Sequence, residues 1–381
     1  MYNIFQRTLI LIVSFLFAMS CSNGDNSTII IHPTSENIEV NHSVFNSISF
    51  KDSTTSDIGI KTLKDRLKNY NVEFIIGKEQ GESHYILGDI VDSHYDADRN
   101  KLFLLDSQKV GISVFNNNGE YLYNITREGR GPGELTNPND IIYRDNMLYI
   151  LDWSFQINEY SIQDKKFEFS NQFITPFPPF GLCINNEYIY IQSLPATNEE
   201  NDGTFHNIFQ FELKDPSEPL NSFGKLYEAN SWVARTTMSM GGIVCADDSD
   251  TIVQYFNLLN LMYGYEQDGS LKWVTSFEDF NYIQYSQIGN RMRVVKEPAY
   301  TYNDIYNAIP FSGDNFVVQI PVRKSNNPNT IPESIHSYIV NFNDGKAIYV
   351  GEFIPLLLSI DESTLIFQTD DPYPQIKIAS Y

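Results

Sequence analysis

The chain has 381 residues and a formal net charge of −22, with 42% apolar and 14% aromatic residues. That apolar content is enough for a packed core and excludes a chain disordered throughout. So acidic a molecule repels phosphate backbones, which argues against a nucleic-acid partner. The 26 Phe and 24 Tyr suit strands better than helices.

Residues 9–19, LILIVSFLFAM, form an apolar run behind Arg7 that has signal-peptide length and is too short to cross a bilayer comfortably. Small residues at Ala18 and Ser20 lead into Cys21, where a cleavage site should fall. This stretch resembles the lipobox of bacterial lipoproteins. Residues 1–20 are therefore expected to be a lipoprotein signal peptide and Cys21 the lipid attachment site. Residues 21–70 read as a tether and N-terminal extension, polar at first, with a strand near 44–50 and one short helix within 58–70. Cys183 and Cys245 lie in apolar strand-like runs and are expected to be buried free thiols. There is no CxxC, HExxH or Cys/His cluster in the sequence, so neither a metal site nor a cofactor is expected.

The folded part is organised by a repeat. Residues 72–90 (VEFIIGKEQGESHYILGDI) and 121–141 (YLYNITREGRGPGELTNPNDI) are each a strand, a Gly-bearing loop and a second strand announced by an Asp. Asp89 and Asp140 are read as matching positions, and LFLLDS at 102–107 and LYILDWS at 148–154 match behind them. Polar turns recur at 116–119, 163–165, 214–216, 267–269 and 343–345, at the spacing of roughly 40–50 residues of a four-stranded propeller blade, with an insertion placed at 278–302.

Five blades are predicted at 86–127, 138–175, 180–227, 238–277 and 305–354. Residues 355–381 supply only three strands, and the surplus strand at 72–76 is expected to complete the sixth blade and close the ring over 71–381. The fold class is therefore an all-β, six-bladed β-propeller of four-stranded blades, closed by an N-terminal strand. Inner strands buried on both faces explain continuous apolar runs such as 102–105 and 189–191.

The residues Gly129, Gly131, Pro132, Gly133, Glu134, Leu135, Pro138 and Asp140, with 148–152 behind them, resemble a pattern of six-bladed β-propeller lipoproteins of Bacteroidetes, relatives of NHL and TolB-type propellers. The resemblance covers 72–160, and Ile125-Thr126 departs from the family's usual Ile-Gly. It implies the propeller fold and an envelope location, and it carries over no catalytic residue.

Several motifs invite a chemical reading. Gly129-x-Gly131-x-Gly133 has the look of a phosphate cradle, but it lacks the Lys-Ser/Thr of a P-loop and reads as a shaped loop. Arg127 and Arg130 either pin that loop or present charge to an anion. Asp106 and Asp152 end their strands and read by default as turn caps. The connections on one face of the ring are short, whereas three on the other, at 193–206, 278–302 and 321–335, are long enough to be functional or disordered. The candidate ligand-binding face comprises Arg127, Arg130, Asp106, Asp152, Trp153, Arg291, Arg293 and Arg323.

The sequence thus reads as a monomeric, lipid-anchored, extracytoplasmic binding module, placed at the outer membrane, with an envelope protein or a glycan as partner. The alternative is an extracytoplasmic propeller hydrolase or lyase acting on sugars or lactones through a channel-bound metal, for which Asp89 and Asp140 are the inward acids.

Overall fold

The computed structural model describes residues 28–31, 44–49, 64–65, 67–96, 98–163, 166–193, 206–229, 231–246, 249–288, 291–311, 313–327, 332–352, 355–360, 363–370 and 372–380. The leader and Cys21 lie outside them. Three strands precede the first blade: β1 (Thr28–Ile31), β2 (Phe45–Ile48) and β3 (Asn71–Ile76). Blade 1 is β4 (Ile90–Asp96), β5 (Lys101–Asp106), β6 (Gly111–Asn116) and β7 (Tyr121–Asn124). Blade 2 is β8 (Pro138–Arg144), β9 (Met147–Asp152), β10 (Gln156–Gln163) and β11 (Lys166–Ile174). Blade 3 is β12 (Pro179–Ile184), β13 (Tyr188–Ser193), β14 (Ile208–Glu212) and β15 (Asn221–Phe223).

A short helix, α1 (Trp232–Met238), leads into blade 4: β16 (Gly241–Val244), β17 (Ile252–Phe256), β18 (Leu261–Tyr265) and β19 (Leu271–Phe277). The hairpin β20 (Tyr285–Ile288) and β21 (Arg291–Val294) follows. In blade 5, β22 (Thr301–Asn303) and β23 (Asn307–Phe311) share one long partner, β24 (Asn315–Lys324), and β25 (Ser334–Asn341) and β26 (Ala347–Gly351) complete the sheet. Blade 6 is β27 (Leu357–Ile360), β28 (Thr364–Thr369), β29 (Gln375–Ser380) and β3, with Ile76 opposite Ile376 and Phe74 opposite Ile378.

The inner strands β4, β8, β12, β16, β23 and β27 touch in cyclic order, the last against the first. Each of six apolar clusters fills one seam between neighbouring blades. The second strand of a blade serves two seams at once. Leu102 and Leu104 face blade 6, and Phe103 and Leu105 face blade 2, because successive side chains of a strand point to opposite faces. This is the physical content of the unbroken apolar runs.

Four features depart from the sequence reading. First, 278–302 is not a bare loop: β20 and β21 pair, β1 adds as a third strand, and Tyr285 and Met292 are buried with α1 over blades 3 and 4. We call this layer the cap. Ser231 starts α1 by accepting the Ala234 amide and also receives the Gln287 side chain, at 2.7 Å, which ties helix to hairpin. The sequence signal was weak because the helix is short and its buried residues include two threonines.

Second, part of the N-terminal extension packs on the ring. β2 runs parallel to β19 as a fifth strand of blade 4, and Leu67, within the helical residues 67–68, is fully buried between blades 5 and 6.

Third, Cys183 and Cys245 form a disulfide, with Cα atoms 5.9 Å apart, in place of two free thiols. They are 62 residues apart in sequence, but Cys183 is on β12 and Cys245 directly follows β16, the adjoining inner strand, and only the ring places them side by side.

Fourth, the repeat register differs. Asp106 accepts the amides of Gly88 and Asp89, while Asp152 accepts those of Thr136 and Asn137. Asp89 therefore corresponds to Asn137, and the counterpart of Asp140 is Asp92. Both follow a bulge in their strands, which shifts the pairing beyond what matching Asp-Ile pairs can show.

Ile76 is fully buried in the closing seam. Ile76→Ala should cost about 2–5 kcal/mol by urea unfolding, because both the apolar contact and the fit of the seam are lost. Reduction of Cys183–Cys245 should destabilise the ring by about 2–5 kcal/mol; an unchanged melting curve in reductant would refute a structural role for the bridge.

Candidate functional site

A cavity of about 970 Å³ runs along the ring axis, walled by all six inner strands. On the face of the short turns it is bordered by His94, Tyr143, Ile184 and Asp314. On the cap face it is bordered by Trp153, Met240, Asn257, Tyr302, Asp304, Tyr306 and Arg323.

Midway along the wall sit Asp92 and Asp140, partly open to the lumen yet surrounded by the ring. Each reaches to the next blade: Asp92 Oδ2 accepts the Ile141 amide at 2.9 Å, and Asp140 Oδ2 accepts the Leu182 amide at 3.0 Å. The two carboxyl groups also hydrogen-bond each other. Burial lifts the Asp92 carboxyl well above its ordinary range, and Asp140 adds to the rise. Burial lifts Asp140 too, opposed by its hydrogen bonds. Two carboxylates in contact resist double ionisation, so the pair retains a proton to higher pH than an isolated aspartate would.

Tyr255 projects to the same wall from the second strand of blade 4. It crosses Gly242, where a Cβ would collide with the phenol ring, so only glycine leaves it room. At the cap mouth Arg323 Nε donates to Asp304 Oδ1 at 2.9 Å, with both side chains buried. Burial raises the Asp304 carboxyl and Arg323 opposes the rise. The ion pair thus brings a compensated cation to the mouth. Tyr306 lies beneath the guanidinium, its phenol pushed by burial to about 12. Four wall residues, Ser93, Trp153, Asn139 and Asn307, each hold one buried side-chain polar atom with no hydrogen-bond partner.

Of the residues nominated from sequence, the structure brings Trp153 and Arg323 to the channel mouth. Asp106 and Asp152 are buried turn caps. Asp106 receives four backbone amides, the last two from Gln108 and Lys109. Asp152 receives three amides and the Thr136 hydroxyl. Arg127 is exposed and pairs with Glu134 Oε1 at 2.8 Å, and Glu134 also accepts the Gly131 amide at 2.8 Å. A Cβ at Gly129 would overlap the Glu134 carboxylate, so the Gly-rich loop cradles an anion supplied by its own chain. The Gly131 amide and then Arg127 hold that carboxyl below its usual range. Arg130 is exposed on the same loop, and Arg291 and Arg293 are exposed on β21 of the cap, away from the channel wall.

Sequence reasoning missed Asp92, Tyr255, Asp304 and Tyr306. Asp92 could have been found from the register of the capping residues Asp106 and Asp152. The other three depend on which blades adjoin. Among the described residues, no group of three or more His, Cys, Asp or Glu side chains is placed to hold a metal ion. The channel acids spend their oxygens on backbone amides and on each other, which does not fit a multi-carboxylate metal site.

A six-bladed ring with a polar, open channel and a cap on one face defines the class. The chain belongs to the DUF5128 family, the 6-bladed beta-propeller, whose model matches residues 88–289. No curated protein matches it. Among solved structures it is similar to a "Putative exported protein" of Bacteroides fragilis, at 12% identity and a TM-score of 0.52 over 88% of this chain and 99% of that one. It is also similar to a member of the duf4221 family from Bacteroides vulgatus, at 10% identity and a TM-score of 0.50 over 82% and 97%. At these identities the likeness is one of fold.

The Asp92–Asp140 pair makes stability depend on pH in a defined direction. A carboxyl whose pKa is raised by folding contributes fully below the ordinary aspartate range and loses its contribution as pH climbs through the raised value. Asp140→Asn keeps an oxygen for the Leu182 amide and gives Asp92 a donor. The wild-type melting temperature should therefore fall as pH rises above the ordinary aspartate range, and the variant's curve should be flatter, by calorimetry across a pH series starting below that range. Parallel curves would show that the pair does not share a proton.

Proposed function

We propose that the protein is an extracytoplasmic binding module, anchored to the envelope through lipid on Cys21, that holds a ligand in the cap-side mouth of its channel. The observation that carries this reading is the channel itself. It is open, walled by all six blades, and bordered by polar and aromatic side chains, four of which hold a buried polar atom with no hydrogen-bond partner. The disulfide at its wall suits an oxidising compartment, as does the leader at 1–20. The exported description of the Bacteroides fragilis protein of the same fold supports the same compartment.

Between an envelope protein and a glycan, the mouth favours the end of an uncharged glycan. Arg323 is neutralised by Asp304, so the mouth presents no uncompensated cation to an anionic ligand. Trp153 and Tyr306 bring aromatic surface to the mouth, while Asn139, Asn307 and Asn257 bring amides to the wall beside them. The reading is of a monomer with no nucleic-acid partner and no cofactor.

A glycan array probed with the purified protein should return a ligand class. For that ligand, Trp153→Ala and Tyr306→Ala should each weaken binding about tenfold or more by calorimetry with the ring still folded, whereas Arg127→Ala should leave affinity unchanged. Undiminished binding in both channel variants would remove the channel as the site.

A further inference from the structure

The amino-terminal strand is fastened to the cap. β1 pairs with β20 over all four of its residues, from Thr28 opposite Ile288 to Ile31 opposite Tyr285. The cap belongs to the connections that precede and follow blade 4, so it stands on the face opposite the short turns. We infer that this pairing turns the cap face of the ring toward the bilayer and makes the β20–β21 hairpin a contact surface for anionic lipid headgroups. The inference rests on the reading of Cys21 as the lipid attachment site.

Reach is the first argument. Thr28 follows Cys21 by seven residues. Seven residues, however arranged, span at most about 25 Å. A blade strand of six or seven residues is itself about 20 Å long and runs from one face of the ring to the other. A lipid on Cys21 therefore reaches a bilayer lying against the cap readily, and one lying against the short-turn face only by spending its whole length on the height of the ring.

Surface chemistry is the second argument. In a chain of net charge −22, Arg291, Arg293 and Lys296 are all exposed on or just after β21, with Glu297 beside them. Ile288, at the end of β20, is 44% exposed. Cations grouped beside an exposed aliphatic side chain match the surface of a headgroup layer, and one acyl anchor gains from a neighbouring basic patch. Arg323, also on this face, is buried in its ion pair and takes no part.

The test uses the lipidated full-length protein on vesicles of phosphatidylethanolamine and phosphatidylglycerol carrying a headgroup acceptor dye. Donor labels are placed at Ser286→Cys on the cap and at Asn118→Cys in a short turn of the opposite face. Energy transfer is expected to be several-fold more efficient from the cap. Ile29→Pro, which removes from the β1–β20 ladder the amide facing Gln287, should erase that difference while the protein stays vesicle-bound. Arg291→Glu with Arg293→Glu should lower transfer from the cap on these vesicles but not on neutral phosphatidylcholine. Equal or reversed transfer from the two labels on lipidated protein would overturn the orientation and leave the anchor standing. An unmodified mass for Cys21, with no vesicle binding, would overturn both.

Discussion

A propeller blade is apolar on two faces and can cover neither by itself. Every other feature of this protein follows from that constraint. Six sheets share six seams, each filled by alternate residues of the strands on either side. Removing any one blade would expose two seams at once. The last sheet needs its outer strand from the start of the folded region, and β3 supplies it against β29. Chain ends far apart in sequence are thus locked into one sheet, and the ring presents no open seam to water.

The same geometry leaves a hole on the axis. Inner strands splay from one another, and the side chains that fill the gap need to suit a partly open lumen. Here they are carboxyls, amides and tyrosines, several of which bind across to the next blade. Asp92 and Asp140 do this in succession, from blade 1 to blade 2 and from blade 2 to blade 3. Arg144 does it on the short-turn face, donating to the Ile184 carbonyl at 3.0 Å. Much of the protein's conspicuous polar chemistry is therefore internal fastening. Glu134 in its glycine cradle and the caps at Asp106 and Asp152 belong to that class. The mouth on the cap face is where polar and aromatic groups remain in excess of what fastening uses.

The cap and the N-terminal extension make the two faces of the ring unlike. Short turns border one face. The other carries α1 and the three-stranded sheet of β1, β20 and β21. The segment between β1 and β3 touches the outer edge of blade 4 through β2 and the seam of blades 5 and 6 through Leu67 before it enters the ring. A single stretch of chain thereby links the proposed anchor, the cap and the closure of the ring.

Blade number, blade boundaries and the strand that closes the ring were legible in the sequence because they rest on local signals: continuous apolar runs, Asn/Asp-Gly turns, and a strand count one short at one end and one over at the other. The capping roles of Asp106 and Asp152 were legible for the same reason, since each acts on amides within about 20 residues. The disulfide, the Asp92–Asp140 contact, the buried Arg323–Asp304 pair and the cap were not. Each depends on which strands lie side by side, on where a bulge shifts the register, or on where a short segment finds an uncovered apolar surface. The order of the blades was written in the chain, whereas the composition of the channel was decided only when neighbouring blades met, because each wall residue's environment comes from the sheet beside it.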